Sequence, residues 1–129
     1  MSDEPIDKRL WLNLQRAAEE EVKALLNALP RPIREKVRPI PIIFQPAPTR
    51  AQIRDGVEPD LLGLFLGNAI DEGVECPAPT EIILFLSNLW EDADHDSEEY
   101  RVQVRQTLLH EIGHYLGLEE DDLIRRDLE

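Results

Sequence analysis

In the segment Ser97–Leu116 the apolar residues Val104, Leu108, Ile112 and Leu116 recur at every fourth position, and Gly117 follows them. A spacing of four puts side chains on one face of an α-helix, so the segment predicts a long helix with a stripe that must be buried. Glycine enters the left-handed conformation without steric cost, which makes Gly117 the expected terminator. Such a helix is stable only against an apolar surface, and the rest of the chain has to supply one. Residues 7–29 read as a second helix, with Leu10, Trp11, Leu14, Ala18, Val22, Leu25 and Leu29 along one stripe and Lys8, Arg16, Glu19, Glu20 and Lys23 facing water. It is expected to cover a sheet and to end at Pro30 and Pro32.

The sheet must come from three short apolar blocks between the helices. Residues 39–44 contain Ile40, Ile42, Ile43 and Phe44 but also Pro39 and Pro41, which cannot donate to a ladder, so an edge strand fits. Residues 49–60 form a polar loop with room for one helical turn, and residues 61–67, LLGLFLG, give a second strand punctuated by Gly63 and Gly67. Residues 81–87, EIILFLS, are the strongest strand signal and belong at the centre or beside the C-terminal helix. Residues 91–99 carry six carboxylates in nine positions and read as a solvated loop or helix start. A calcium loop fails there, because Ser97 and Gln103 stand where glycine and glutamate are needed. Residues 119–128 suggest a short last helix with an acidic first turn.

A chain of 129 residues has room for one modest core, so a single domain over residues 1–129 is expected. Against 14 basic residues stand 27 acidic ones, a net charge of -13 that phosphate backbones and anionic headgroups repel. Nucleic acid and membrane are therefore not expected as partners, and no apolar run approaches the roughly 20 residues of a bilayer span. The first ten residues are acidic where a secretion signal is basic and then apolar, which makes a cytoplasmic location the expectation. Cys76 is the only cysteine, so neither an intrachain disulfide nor a thiolate metal cluster can form.

Chemistry is concentrated on the C-terminal helix, where His110, Glu111, Ile112, Gly113 and His114 make the pattern H-E-x-x-H. Two imidazoles four residues apart stand one turn apart on one face, so their nitrogens can converge on a single Zn²⁺. Glu111 is offset by about 100° around the axis. That places it beside a metal, able to take a proton from an activated water while the metal polarises a substrate carbonyl. A catalytic zinc also needs a third protein ligand. Gly117 lets the chain turn, and Glu119, Glu120, Asp121 and Asp122 come soon after. In H-E-x-x-H-x-x-G-x-x-H the third ligand lies six residues beyond the second histidine, and that position is Glu120. Glu119 and Asp121 are close enough to serve instead, and His95 is a further candidate. Only fifteen residues follow His114, too few for a ligand on a distant later helix, and Met1 is the only methionine, which excludes a methionine turn. Tyr115 projects away from the histidines and is expected to pack rather than to stabilise an oxyanion.

Residues 110–123 (HEIGHYLGLEEDDL), together with LLGLFLG and EIILFLS, resemble the mini-zincins, small bacterial zinc metallopeptidases. The long motif carries the resemblance and the two strand segments support it. It implies an α+β fold: a compact zincin-like domain whose small mixed sheet packs with an N-terminal helix and the active-site helix, followed by a short C-terminal helix. It further implies His110, His114 and Glu120 as zinc ligands and Glu111 as general base. Typical members carry aspartate at the third position, and the glutamate here reaches one methylene further. The expected function is thus zinc-dependent hydrolysis of peptide or protein substrates, with basic peptides favoured by long-range steering. The alternative is a non-catalytic zinc-containing domain that captures an extended segment of a partner, since so small a chain has little surface to wall a deep cleft. The sequence sets no oligomeric state.

Overall fold

The computed structural model describes residues 7–67 and 80–117. The first stripe forms α1 (Lys8–Ala28), opened by Asp7, whose carboxylate accepts the Arg9 N–H at 2.9 Å. Leu14, Ala18 and Leu25 are its buried positions. Pro30 and Pro32, expected only to end α1, also open α2 (Arg31–Val37), a helix the sequence reading missed. First-turn N–H groups have no intrahelical acceptor, so proline is tolerated there, and Ile33 and Val37, four apart, supply the buried face.

Three strands build one sheet: β1 (Ile42–Gln45), β2 (Gly63–Leu66) and β3 (Glu81–Phe85), in the spatial order β1-β3-β2. β1 runs parallel to β3 and β2 antiparallel to it, so that Ile83 lies between Ile43 and Leu64. Ile82, Ile83, Leu84 and Phe85 are at most 1% exposed. A strand buried on both faces has no polar side to show, which is why this run lacks alternation. β1 is an edge, as its flanking prolines require, although the Pro41 carbonyl still accepts the Ile82 N–H at 3.0 Å. The helical turn expected within residues 49–60 is α3 (Arg50–Arg54), closed by reciprocal hydrogen bonds between Thr49 and Gln52.

β3 passes directly into α4 (Leu86–Asp92), and a turn over residues 93–96 leads to α5 (Ser97–Leu116). α4 was not anticipated and takes Glu91 and Asp92 from the expected acidic stretch, whereas residues 97–99 begin α5 as expected, which leaves four residues for the turn. Leu86, Leu89 and Ala93 are buried at helical spacing, a period that the strand reading of residues 81–87 cut through. Asp96 caps α5 by accepting the Glu99 N–H at 2.9 Å.

α5 lies against β2 and β3, while α1 packs chiefly along α5 and α4. One apolar cluster joins them, with Leu14 and Ala18 of α1, Leu84 of β3, Leu89 of α4 and Val104 and Leu108 of α5 near its middle. Among the described residues no helix is long and apolar enough to cross a membrane.

Polar contacts fix the register of α1 on α5. The Tyr100 hydroxyl donates to the Leu14 carbonyl at 2.8 Å, and Glu21 is bracketed by Arg101, at 2.8 Å, and Arg105. Burial raises the Glu21 carboxyl, but hydrogen bonds and charge from both guanidiniums outweigh it and hold the group below its ordinary 4.5. A carboxyl depressed by folding stabilises the fold above its unfolded value and loses that contribution as pH falls through its folded value. Glu21→Gln is therefore expected to cost about 1 kcal/mol at neutral pH, kept small because Arg101 and Arg105 are 37% and 42% exposed to screening solvent. In urea titrations the gap to wild type should close as pH is lowered below about 4.

Candidate metal centre

α5 presents the motif residues on its last two turns. His110 and His114 stand one turn apart with ring centroids 4.3 Å apart, inclined at 65°. His114 is exposed and His110 half-buried, whereas Glu111 turns inward and is 6% exposed. The helical period dictates that difference, since Glu111 follows the buried Val104 and Leu108 by seven and three residues.

β2 receives the inward carboxylate. Gly63 faces α5 so closely that a Cβ there would lie 2.5 Å from Thr107 Cγ2 and 3.4 Å from Glu111 Cγ. Two residues on, Phe65 donates its backbone N–H to the Glu111 carboxylate, and its ring packs on Tyr115 at 5.9 Å. Tyr115 is thus a packing residue, as its place in the sequence implies. Asn88 pins the approach to β2, donating from Nδ2 to the Pro59 and Leu61 carbonyls, each at 2.9 Å.

Burial raises the Glu111 carboxyl above its ordinary 4.5. The charges of His114 and His110, a hydrogen bond to His114 and the Phe65 N–H oppose that shift without reversing it. A carboxylate made more basic in this way is a better proton acceptor than an exposed one. His114 Nδ1 lies 3.4 Å from Glu111 Oε1. Atoms able to ligate a metal on His110, Glu111 and His114 all lie within 4.8 Å of one another. Two nitrogens on a tetrahedral zinc, each bound at about 2.0–2.1 Å, stand roughly 3.4 Å apart, a separation that side-chain rotation can reach from this cluster, and imidazole and carboxylate donors suit zinc.

Beside these residues a groove of about 560 Å³ runs between β2 and α5. Residues 61–65 form one wall, and Gln103, Gln106 and Thr107 line the other. Gly63 and Thr107 were not identified as site residues from sequence. The available signal was the glycine inside LLGLFLG, read there as punctuation, whereas the structure makes it the point of closest approach between strand and helix.

The structure brings together His110, Glu111 and His114, while Glu119, Glu120 and Asp121 lie outside the described residues, as do Cys76 and the helix expected over residues 119–128. His95 does not join the site. It sits in the turn before α5, stacked on Trp90 at 5.0 Å with Nε2 3.1 Å from Glu91 Oε1. At about 1.5 Å of rise per residue, α5 separates it from His110 by roughly 20 Å.

The sequence matches a family described as zincin-like metallopeptidase over residues 37–129, a span that takes in the whole sheet, α4 and α5. No match was found among curated proteins. By fold, by the histidines and glutamate of α5 and by this match, the chain belongs to the zincin-like metallopeptidase family.

Proposed function

We propose that the protein is a zinc-dependent peptidase in which His110, His114 and Glu120 hold the metal and Glu111 is the general base. The observation that carries this reading is the placement of Glu111, turned inward beside both imidazoles in a groove bounded by β2. Zinc bound there supplies a Lewis acid to polarise the scissile carbonyl. The protein's own groups do the rest. Among the described residues nothing pairs with β2 on its outer side, so an extended substrate can add to that edge as a strand, with Gln103 and Gln106 offering amides from the facing wall. Glu111, oriented by the Phe65 N–H, accepts a proton from the attacking water and returns it to the leaving amine.

Protein purified without chelator or added metal is expected to carry near-stoichiometric zinc by mass spectrometry. His110→Ala, His114→Ala and Glu120→Ala should each weaken zinc binding by more than about tenfold, since losing even an outer partner of a ligand costs that much. Asp121→Ala should retain the metal. Wild-type protein that neither carries nor takes up zinc would reduce the histidines to packing residues and remove the ground for a metallopeptidase.

A further inference from the structure

At the opposite edge of the sheet a second groove, of about 620 Å³, lies between α1, α2 and β1. Its floor is apolar, formed by Val22 and Leu26 of α1 and by Ile42 and Phe44 of β1, all half-buried against the margin of the core. Ile42 and Phe44 are two residues apart and so share one face of the strand. Among the described residues β1 has no strand on its outer side.

The rim reverses the charge of the protein around it. Lys23, Arg34 and Arg38 line the groove against a single acid, Glu19, in a chain with 27 acidic and 14 basic residues. Arg34 donates to the Asn27 carbonyl at 3.2 Å, and its Nε is buried without a hydrogen-bond partner. Lys23 and Arg38 are exposed, and neither side chain enters a hydrogen bond or ion pair among the described residues. Two uncommitted cations above an apolar floor at a sheet edge complement one kind of occupant, an extended chain with carboxylates and apolar side chains in alternation.

We infer that this groove docks an acidic, apolar-anchored extended segment of a partner protein along the edge of β1, independently of the metal centre. The apolar side chains sit on Val22, Leu26, Ile42 and Phe44, and the carboxylates meet Lys23 and Arg38. The groove volume falls within the roughly 300–1,000 Å³ usual for binding sites. Net repulsion does not prevent contact, because charges beyond about 8 Å are screened at physiological salt and the rim charges then dominate.

The probe is a fluorescein-labelled, acetylated octapeptide alternating glutamate with valine and leucine, titrated with the whole protein by fluorescence anisotropy. Saturable binding that weakens with salt is expected. Lys23→Glu combined with Arg38→Glu should weaken it roughly tenfold or more, and the corresponding glutamine pair, which guards against an effect of charge reversal on folding, about threefold. His114→Ala should leave the affinity unchanged, and a peptide with lysine in place of glutamate should not bind. Equal affinity for the two peptides, or an unaltered affinity in the charge-reversal pair, would overturn the inference. So would a loss in His114→Ala, which puts the probe in the metal groove, or no binding at all, the outcome if the chain itself or a second copy fills the site.

Discussion

Glu111→Gln is expected to lower peptide hydrolysis by about 10²- to 10⁴-fold while zinc content and the fold stay as they are. Glutamine keeps the length of the side chain and an oxygen that can accept the Phe65 N–H, so the packing against Gly63 and Thr107 has no reason to change. What it lacks is a basic oxygen. Burial raises the native carboxyl, so a neutral amide relieves a desolvation cost rather than removing a favourable charge, and the thermal midpoint should hold or rise slightly. A chemical role and a structural one therefore separate cleanly: loss of turnover with metal and midpoint retained assigns the base, whereas loss of all three reports a collapsed site. Unchanged turnover would remove Glu111 from the mechanism. A wild type that holds zinc and binds peptides along β2 without cutting them would favour partner capture instead.

The parts of this molecule that were legible in the sequence are those fixed by local spacing. α1 and α5 declare themselves because Leu14, Ala18 and Leu25, and Val104, Leu108 and Ile112, repeat with the helical period. β3 was recognisable because only a central strand tolerates an apolar run on both faces. The imidazole pair was legible for the same reason as the helices, since four residues of helix place His114 over His110 whatever surrounds them. α2 was hidden by prolines that terminate one helix and are equally at home in the first turn of the next. α4 was hidden by continuity, because Leu86 extends the apolar run of β3 and nothing polar marks where strand becomes helix. What supports the site was least visible. Gly63 and Thr107 meet only because β2 pairs on the side of β3 that faces α5, a long-range choice that no local pattern encodes.

That meeting predicts the second large effect. The φ of Gly63 is not in the left-handed region, so any substitution there is limited by space alone, and an added methyl would sit 2.5 Å from Thr107 Cγ2 and 3.5 Å from the Ile83 carbonyl oxygen. The carbonyl is then in ordinary van der Waals contact, so the clash is with the Thr107 methyl. Thr107 is β-branched and helical, so its methyl can leave only by rotating χ1. The remaining relief is for β2 to move off α5, which shifts the Phe65 N–H away from Glu111 and widens the groove. Gly63→Ala is expected to cost about 1–3 kcal/mol of stability. Because displacing a catalytic group by about 1 Å can cost 10²-fold, turnover should fall by roughly that factor. Thr107→Ser removes the opposing methyl and keeps the hydroxyl, so the double variant should recover at least about 1 kcal/mol relative to the sum of the single changes and regain most of its turnover. Chemical denaturation of the four proteins measures that coupling. Strictly additive losses would mean that β2 and α5 do not meet at Gly63, and the groove between them could not then be what orients Glu111.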